Sequence, residues 1–335
     1  AYEPTCGSGS LLLQVAAAAG RHLTLEGQEK DSTTAGLARM NMILHDFPTA
    51  NIASGGEGTL VKPRFLDGAQ LRTYDYVVAN PPFSDKTWST GMTLGDSGEG
   101  DAYQRFTWGV PPKKQGDYAY LLHIIRSLKS SGKAACILPH GVLFRGNAEA
   151  EIRRSLVRRG LIQAIIGLPA NLFYGTGIPA CILVMNKEHA AERDDVLFIN
   201  ADREYREGKA QNHLRPEDID KIVHAYRAGQ DIDGYAKRAP VADIKAFIFD
   251  TLLADQALAV LADPDGGELA GLHEAVHGHR GDPHGLGDLT RGQQFDLAHT
   301  RHVGSRSLTV ATVGLSGHIP QPCRSGNIIG TSRPP

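Results

Sequence analysis

Residues 74–83 read YDYVVANPPF, and this stretch decides the fold. A short apolar run stops at Asn80, and two prolines and an aromatic follow. Val77 and Val78 suit a strand buried on both faces. Pro81 and Pro82 lack the N–H that a ladder needs, so the strand must end before them. Asn80 is therefore expected at a strand's carboxyl end, on a stiff loop. Ligand crevices of open α/β sheets lie outside those ends.

Upstream, Glu3 to Gly9 is a small-residue turn between the end of one strand and a helix over Ser10 to Ala19, with Gly20 as its stop. His22 to Leu25 reads as a second strand, ending at Glu26-Gly27-Gln28-Glu29. A helix over Thr33 to Leu44 follows, capped by Asp31 or Ser32, with Leu37, Met40 and Leu44 on its apolar face. Asn51 to Ala53 is a weak third strand before the turn Gly55 to Gly58. Strands alternating with helices imply a parallel, doubly wound sheet.

Downstream, Ser84 to Gly116 is long, polar and glycine-rich, a length that usually marks a functional or disordered loop. A helix over Asp117 to Leu128, a strand over Lys133 to Leu138 and a basic helix over Asn147 to Arg159 follow. Ile162 to Leu168 and Ala180 to Met185 flank the loop Pro169 to Pro179, a connection short enough for an antiparallel pair at a sheet edge. Val196 to Asn200 adds an edge strand, and Pro216 to Arg227 a surface helix.

The bulk properties narrow the function. Hydrophobic residues make up 41% of the 335, enough for a sizeable core. The four cysteines are scattered, which argues against a disulfide framework or a structural metal site and fits a reducing compartment. No apolar run approaches a membrane span and no signal-peptide pattern is visible, so a soluble cytoplasmic protein is expected. A net charge of −2 does not suggest a freestanding nucleic-acid binder. Lys113 to Arg159 nevertheless carries ten Lys or Arg against three acids. Such a stretch is either a set of solvated helix faces or a basic face toward phosphates.

The Glu3 to Gly9 turn is not the dinucleotide fingerprint, because Leu12 holds its third glycine position. Alone it reads as a tight strand-to-helix connection or a place where backbone approaches a ligand. Glu29 lies about 20 residues beyond it, where an acid meets ribose hydroxyls or simply opens a helix. Glu57, after the third strand, is placed for an adenine amino group or for capping a turn. Together these positions would surround one adenosine-containing ligand.

EPTCGSG (residues 3–9) resembles the S-adenosylmethionine-binding motif of amino-methyltransferases, and NPPF (residues 80–83) their catalytic motif. The resemblance is closer still to the modification subunit of type I restriction-modification systems. GQEKDSTTAGLARMNMILHD, GDYAYLLHIIRSLKSSGKAACILPHGVLFRG, IIGLPANLFYGTGIPACILVMNK and NHLRPEDIDKIV carry it through about residue 245. It implies a Rossmann-like methyltransferase fold, with a doubly wound, mostly parallel sheet and an antiparallel edge hairpin. The implied reaction moves a methyl group from S-adenosylmethionine to N6 of adenine in DNA.

In that family's terms, Glu3, Thr5, Gly7, Ser8 and Gly9 would face the methionine portion and backbone of the cofactor. Glu29 would hold the ribose and Glu57 the adenine. Asn80, Pro81, Pro82 and Phe83 would form the catalytic loop, and Phe173 and Tyr174 the wall of the base pocket or plain hairpin packing. No metal is implied. Cys6 reads as a packed residue rather than a nucleophile. The implied partners are double-stranded DNA, a specificity subunit and a restriction subunit, in a bacterial or archaeal cytoplasm.

Two other functions stay open on the sequence. One is a protein glutamine-N5 methyltransferase, whose family also carries an NPP-aromatic motif. The other is a non-catalytic remnant that binds cofactor or a partner. The remnant reading follows from the abrupt start, which lacks the family's helical amino-terminal domain, and from the far end. Lys245 is the last lysine, and seven of the 14 histidines follow it. Residues 1–245 are thus expected to form the catalytic domain, and residues 246–335 a disordered or frame-shifted tail rather than a metal-binding one.

Overall fold

A computed structural model describes residues 1–20 and 22–244. β1 (Tyr2–Glu3) leads through the glycine turn into α1 (Ser10–Ala19), which Gly20 ends in the left-handed region. β2 (Glu26–Glu29), α2 (Ser32–Leu44), β3 (Asn51–Ser54) and the short α3 (Gly58–Val61) follow. A small ribbon of β4 (Leu66–Asp67) and β5 (Gln70–Leu71) precedes β6 (Tyr74–Ala79). Beyond the long loop come α4 (Asp117–Arg126), β7 (Leu128–Pro139), α5 (Asn147–Arg158), β8 (Ile162–Gly167) and β9 (Ala180–Asn186). β10 (Asp195–Asn200), α6 (Pro216–Ala228) and β11 (Ala236–Pro240) complete the order.

Among the described residues nine strands form one sheet, in the order β11-β10-β8-β9-β7-β6-β1-β2-β3. The run from β3 to β7 is parallel. β8 and β9 pair antiparallel, as the short Pro169 to Pro179 connection predicts, but inside the sheet rather than at its edge, with β9 between β7 and β8. β10, expected as an edge strand, lies parallel to β8 one position in, because β11 returns antiparallel and covers it. The chain winds outward from β1 through β2 to β3, then crosses to β6 and winds the other way. The reversal between β1 and β6 is a topological switch point, where a crevice opens at the strands' carboxyl ends.

Alternation along the strands covers both faces of the sheet. Cys136 and Leu138 of β7 and Cys181, Leu183 and Met185 of β9 join the core under α4 and α5. Ile137, Ala180, Ile182 and Val184 join the opposite one, with Ile222 of α6. Period-2 burial on two faces is what near-continuous apolar strands require. A third core packs α1 and α2 on β2 and β3 through Leu12, Ala16, Ala35, Ala38, Met42 and Ile52.

Three further details depart from the sequence reading. The second strand is β2, Glu26–Glu29, not His22 to Leu25. Its polar residues tolerate burial because each has partners: Glu26 accepts from Arg72 and Tyr74, and Gln28 bonds the backbone of Lys62 and Arg64. The apolar face assigned to α2 points outward, with Leu37, Met40 and Leu44 exposed. Small Ala35 and Ala38 face inward instead, because α1 and the glycine turn approach closely. A Cβ on Gly9 would sit 2.5 Å from Met42 Cε. α4 ends at Arg126, and Leu128 already belongs to β7.

The long loop is packed rather than loose. Trp88 and Phe106 are buried and meet edge to face, closing the outer side of α4. The tail expected over residues 246–335 lies outside the described residues.

Candidate active site

The register aligns the sequence-predicted positions at one edge of the sheet. Tyr2 pairs with Val77, Glu3 with Gly27, and Glu29 with Ser54. The glycine turn, Glu29 and Asn80 thus leave the carboxyl ends of β1, β2 and β6.

The turn has the features of a cradle. Gly7 and Gly9 take φ of 52° and 77°, which L side chains disfavour. A Cβ on Gly7 would meet nothing within 4 Å, so the turn's outer surface is open. Glu29 fixes the turn from β2: its two oxygens accept the N–H of Gly7 and of Asp31, each at 2.9 Å. Ser8 Oγ bonds Ser10 Oγ, and the Ser8 carbonyl accepts from Asn41.

Beneath the turn, Glu3 is only 2% exposed and its Oε2 has no partner among the described residues. Burial pushes its carboxyl well above the ordinary value; the Leu12 N–H offsets part of this and the Glu29 charge adds to it. Thr5 Oγ1 is likewise buried and unpaired. Two orphaned polar atoms under an open turn mark a place that a polar ligand would complete. Cys6 packs against Gly27, where a Cβ would come within 2.9 Å of its Sγ. Burial raises that thiol far above its usual range, so it is no nucleophile. Glu57 is half-exposed and pairs with Lys62 at 3.0 Å.

On the β6 side, Asn80 is exposed, Pro81 buried, Pro82 exposed and Phe83 half-buried. Phe83 meets Phe173 edge to face, with centroids 5.6 Å apart. Both rings rest on the α6-side core. Tyr174 projects outward at 74% exposure.

Side chains that the motifs did not single out hold this loop. Asp117, fully buried at the start of α4, accepts the Ser84 N–H at 2.7 Å. Arg145 bridges Asp117 and Glu149. Another buried chain runs from the long loop to β1 and β2. Asp101 and Arg105 pair at 2.7 Å, Arg105 reaches His123, His123 meets Tyr2, Tyr2 meets Thr59, and Thr59 meets Gln28. In the sequence Asp101 and Arg105 sit in a polar loop and Asp117 at a helix start, where charged residues are normally solvated, so nothing local marks their burial.

The basic stretch is largely consumed internally. Arg145 and Arg154 are ion-paired, Arg153 donates to the Val142 and Arg145 carbonyls, Arg159 stacks on Trp108, and Lys129 and Lys133 pair with Asp75 and Glu188. Among the described residues no group of three or more His, Cys, Asp or Glu could hold a metal, and no helix is long and apolar enough to cross a membrane.

Comparison with known proteins places the chain in a family. The model of a family described as N-6 DNA Methylase matches residues 1–253. A type I restriction enzyme methylase subunit of Methanocaldococcus jannaschii, MjaVIII, is 35% identical over 253 residues, covering 72% of this chain and 43% of its own. The HindI methylase subunit of Haemophilus influenzae is 32% identical over 250 residues, covering 71% and 53%. A solved type I methyltransferase subunit of Streptococcus thermophilus superposes with a TM-score of 0.65 at 38% identity, covering 73% of this chain and 51% of that one. The chain therefore spans about half the length of the relatives it matches.

Proposed function

The chain belongs to the N-6 DNA methylase family, and from this premise we propose that it transfers a methyl group from S-adenosylmethionine to N6 of adenine in DNA. It does so as the modification subunit of a type I restriction-modification system, with double-stranded DNA as substrate and specificity and restriction subunits as partners. The observation that carries the reading is the pairing of β1 with β6, which brings the glycine turn beside Asn80.

The residues present fit the cofactor. Among the described residues Glu3 Oε2 and Thr5 Oγ1 lack partners, and nothing covers Gly7. Glu3, Thr5, Gly7, Ser8 and Gly9 would hold the methionine portion and backbone, Glu29 the ribose and Glu57 the adenine. Each Glu29 oxygen already accepts one backbone N–H and keeps a lone pair for a ribose hydroxyl. When bound, the sulfonium supplies an electrophilic methyl group.

The chain's own residues act on the acceptor. Adenine N6 is a poor nucleophile, because its lone pair is delocalised into the ring. Asn80 Oδ1 and the Pro81 carbonyl each accept one N6 hydrogen. Those bonds strengthen as the lone pair localises, which favours the transition state over the ground state. Pro81, with φ fixed by its ring, holds its carbonyl still. The target base must leave the duplex, and Phe83 offers a surface for stacking, with Phe173 behind it. No protein nucleophile takes part.

The test is methyl transfer to DNA by the complete protein with its recognition partner. Asn80→Ala should lower kcat by on the order of 100-fold or more, as loss of a preorganised acceptor does. Transfer at the parent rate would sink the assignment. Digestion of the product should yield N6-methyladenine; N5-methylglutamine in a protein acceptor would point to the other branch.

A further inference from the structure

The Asn80 loop turns at Ser84, whose φ of 52° lies in the left-handed region. A non-glycine residue is disfavoured there by about 1–2 kcal/mol, so the turn needs an anchor. Asp117 is that anchor. Its Oδ1 accepts the Ser84 N–H at 2.7 Å, and its Oδ2 the Ser84 hydroxyl at 3.4 Å. Arg145 Nη2 donates to Oδ2 at 2.5 Å, and the same guanidinium forks onto Glu149 through Nε at 2.5 Å and Nη2 at 3.0 Å.

The rest of the turn sits directly on the same helix end. Tyr120 Oη donates to Asp85 Oδ2 at 3.1 Å. Gly116 makes the approach possible, since a Cβ there would lie 2.9 Å from Trp88 Cβ and 3.1 Å from the Asp85 carbonyl. Arg145 arrives from the turn that closes β7, so Asp117 holds Ser84 directly and Arg145 backs Asp117 from a separate segment.

A buried ion triad is a poor device for stability alone, because apolar residues of similar volume often serve as well or better. An apolar side chain cannot hold an N–H in a left-handed turn, whereas a carboxylate paired with a guanidinium can. We propose that Asp117, with Arg145 as its charge partner, is a positioning residue that fixes the Asn80–Phe83 loop in the geometry for methyl transfer. The proposal rests on the methyltransferase reading above.

The test compares Asp117→Ala, Asp117→Asn and Asn80→Ala in the complete protein with its recognition partner. Thermal melting checks folding, calorimetry gives S-adenosylmethionine affinity, and steady-state methyl transfer gives kcat and KM for DNA. A displaced catalytic loop should lower kcat by about 10- to 100-fold in Asp117→Ala, with KM for DNA and cofactor Kd within about threefold. Asp117→Asn keeps an oxygen for the Ser84 N–H but loses the charge facing Arg145. Its kcat should fall by about fivefold or more, but less than that of the alanine variant.

A folded Asp117→Ala with kcat within about threefold of the parent overturns the proposal, as does loss of cofactor affinity in step with kcat. If the alanine variant does not fold, Asp117→Asn decides by the same readouts, and a kcat within about twofold of the parent overturns it. Asn80→Ala active at the parent rate sinks the methyl-transfer reading itself. Asn80→Ala inactive beside unaffected Asp117 variants sinks only the positioning role.

Discussion

Glu3→Gln separates what the orphaned carboxylate costs from what it binds. Glu3 is 2% exposed, its Oε2 is unpartnered, and burial holds its carboxyl well above the ordinary value of 4.5. An acid raised in the folded state contributes stability that is fully present below its unfolded value and is lost as pH rises through the folded one. Glutamine does not titrate. The difference in unfolding free energy between variant and parent should therefore move in the variant's favour as pH rises above about 4.5. A buried acceptor left unsatisfied costs about 1–3 kcal/mol, more when charged, so the swing should reach that size by about pH 8.

The assay is urea denaturation of both proteins at several values between about pH 5 and 8. Taking the difference cancels other titrating groups, His123 among them. S-adenosylmethionine, whose ammonium would meet the carboxylate, should stabilise the parent by RT ln(1 + [L]/Kd) and the variant by less. Parallel pH profiles for the two proteins would refute the reasoning, because Glu3 would then ionise without cost.

Two further predictions rest on packing and on charge. Gly27→Ala puts a Cβ 2.9 Å from Cys6 Sγ and 3.0 Å from Ile52 Cδ1, so urea midpoints should show a loss of about 1–3 kcal/mol. An unchanged midpoint would mean that the glycine turn yields more readily than its packing implies. His123 is fully buried, and desolvation followed by the nearby Arg105 charge lowers its imidazole well below 6.5. A base lowered in the folded state contributes stability that is present above the unfolded value and lost as pH falls below it. Stability should thus decline as pH falls below 6.5, and His123→Gln should flatten that limb in thermal melts. An equally steep limb in the variant would exclude His123 as its source.

Much of this was legible because strong local rules and tertiary structure agree. Val77 to Phe83 had to be a strand stopped by prolines, and β6 ends at Ala79. Asp31 or Ser32 was expected as a cap, and it is the Asp31 side chain that accepts from Thr34 N. β2 was misplaced because Glu-Gly-Gln-Glu carries no apolar signal, and its burial depends on Arg72, Tyr74 and the 62–64 backbone, far away in sequence. The α2 face was misread for the complementary reason. Leucine and methionine are usually core residues, but the close approach of Gly9 admits only alanine and one methionine. Glu3 and Asn80 were visible as motif residues, whereas Asp117 was not, since an acid opening a helix is normally a solvated one.

The buried chain from Arg105 to Gln28 has a direction. A guanidinium only donates, so His123 Nδ1 must be the acceptor and the ring proton must sit on Nε2. That proton is then given to Tyr2 Oη, the phenol to Thr59 Oγ1, and the threonine to Gln28 Oε1. The Gln28 amide passes the sequence on to the Lys62 carbonyl at 2.8 Å. From Arg105 to Gln28 every hydrogen points from the loop beyond Pro81 and Pro82 toward the strand that ends in Glu29. Reversing any link would leave two donors or two acceptors facing each other. The row therefore has one allowed polarity, and the histidine tautomer is settled by a guanidinium at its far end rather than by solvent.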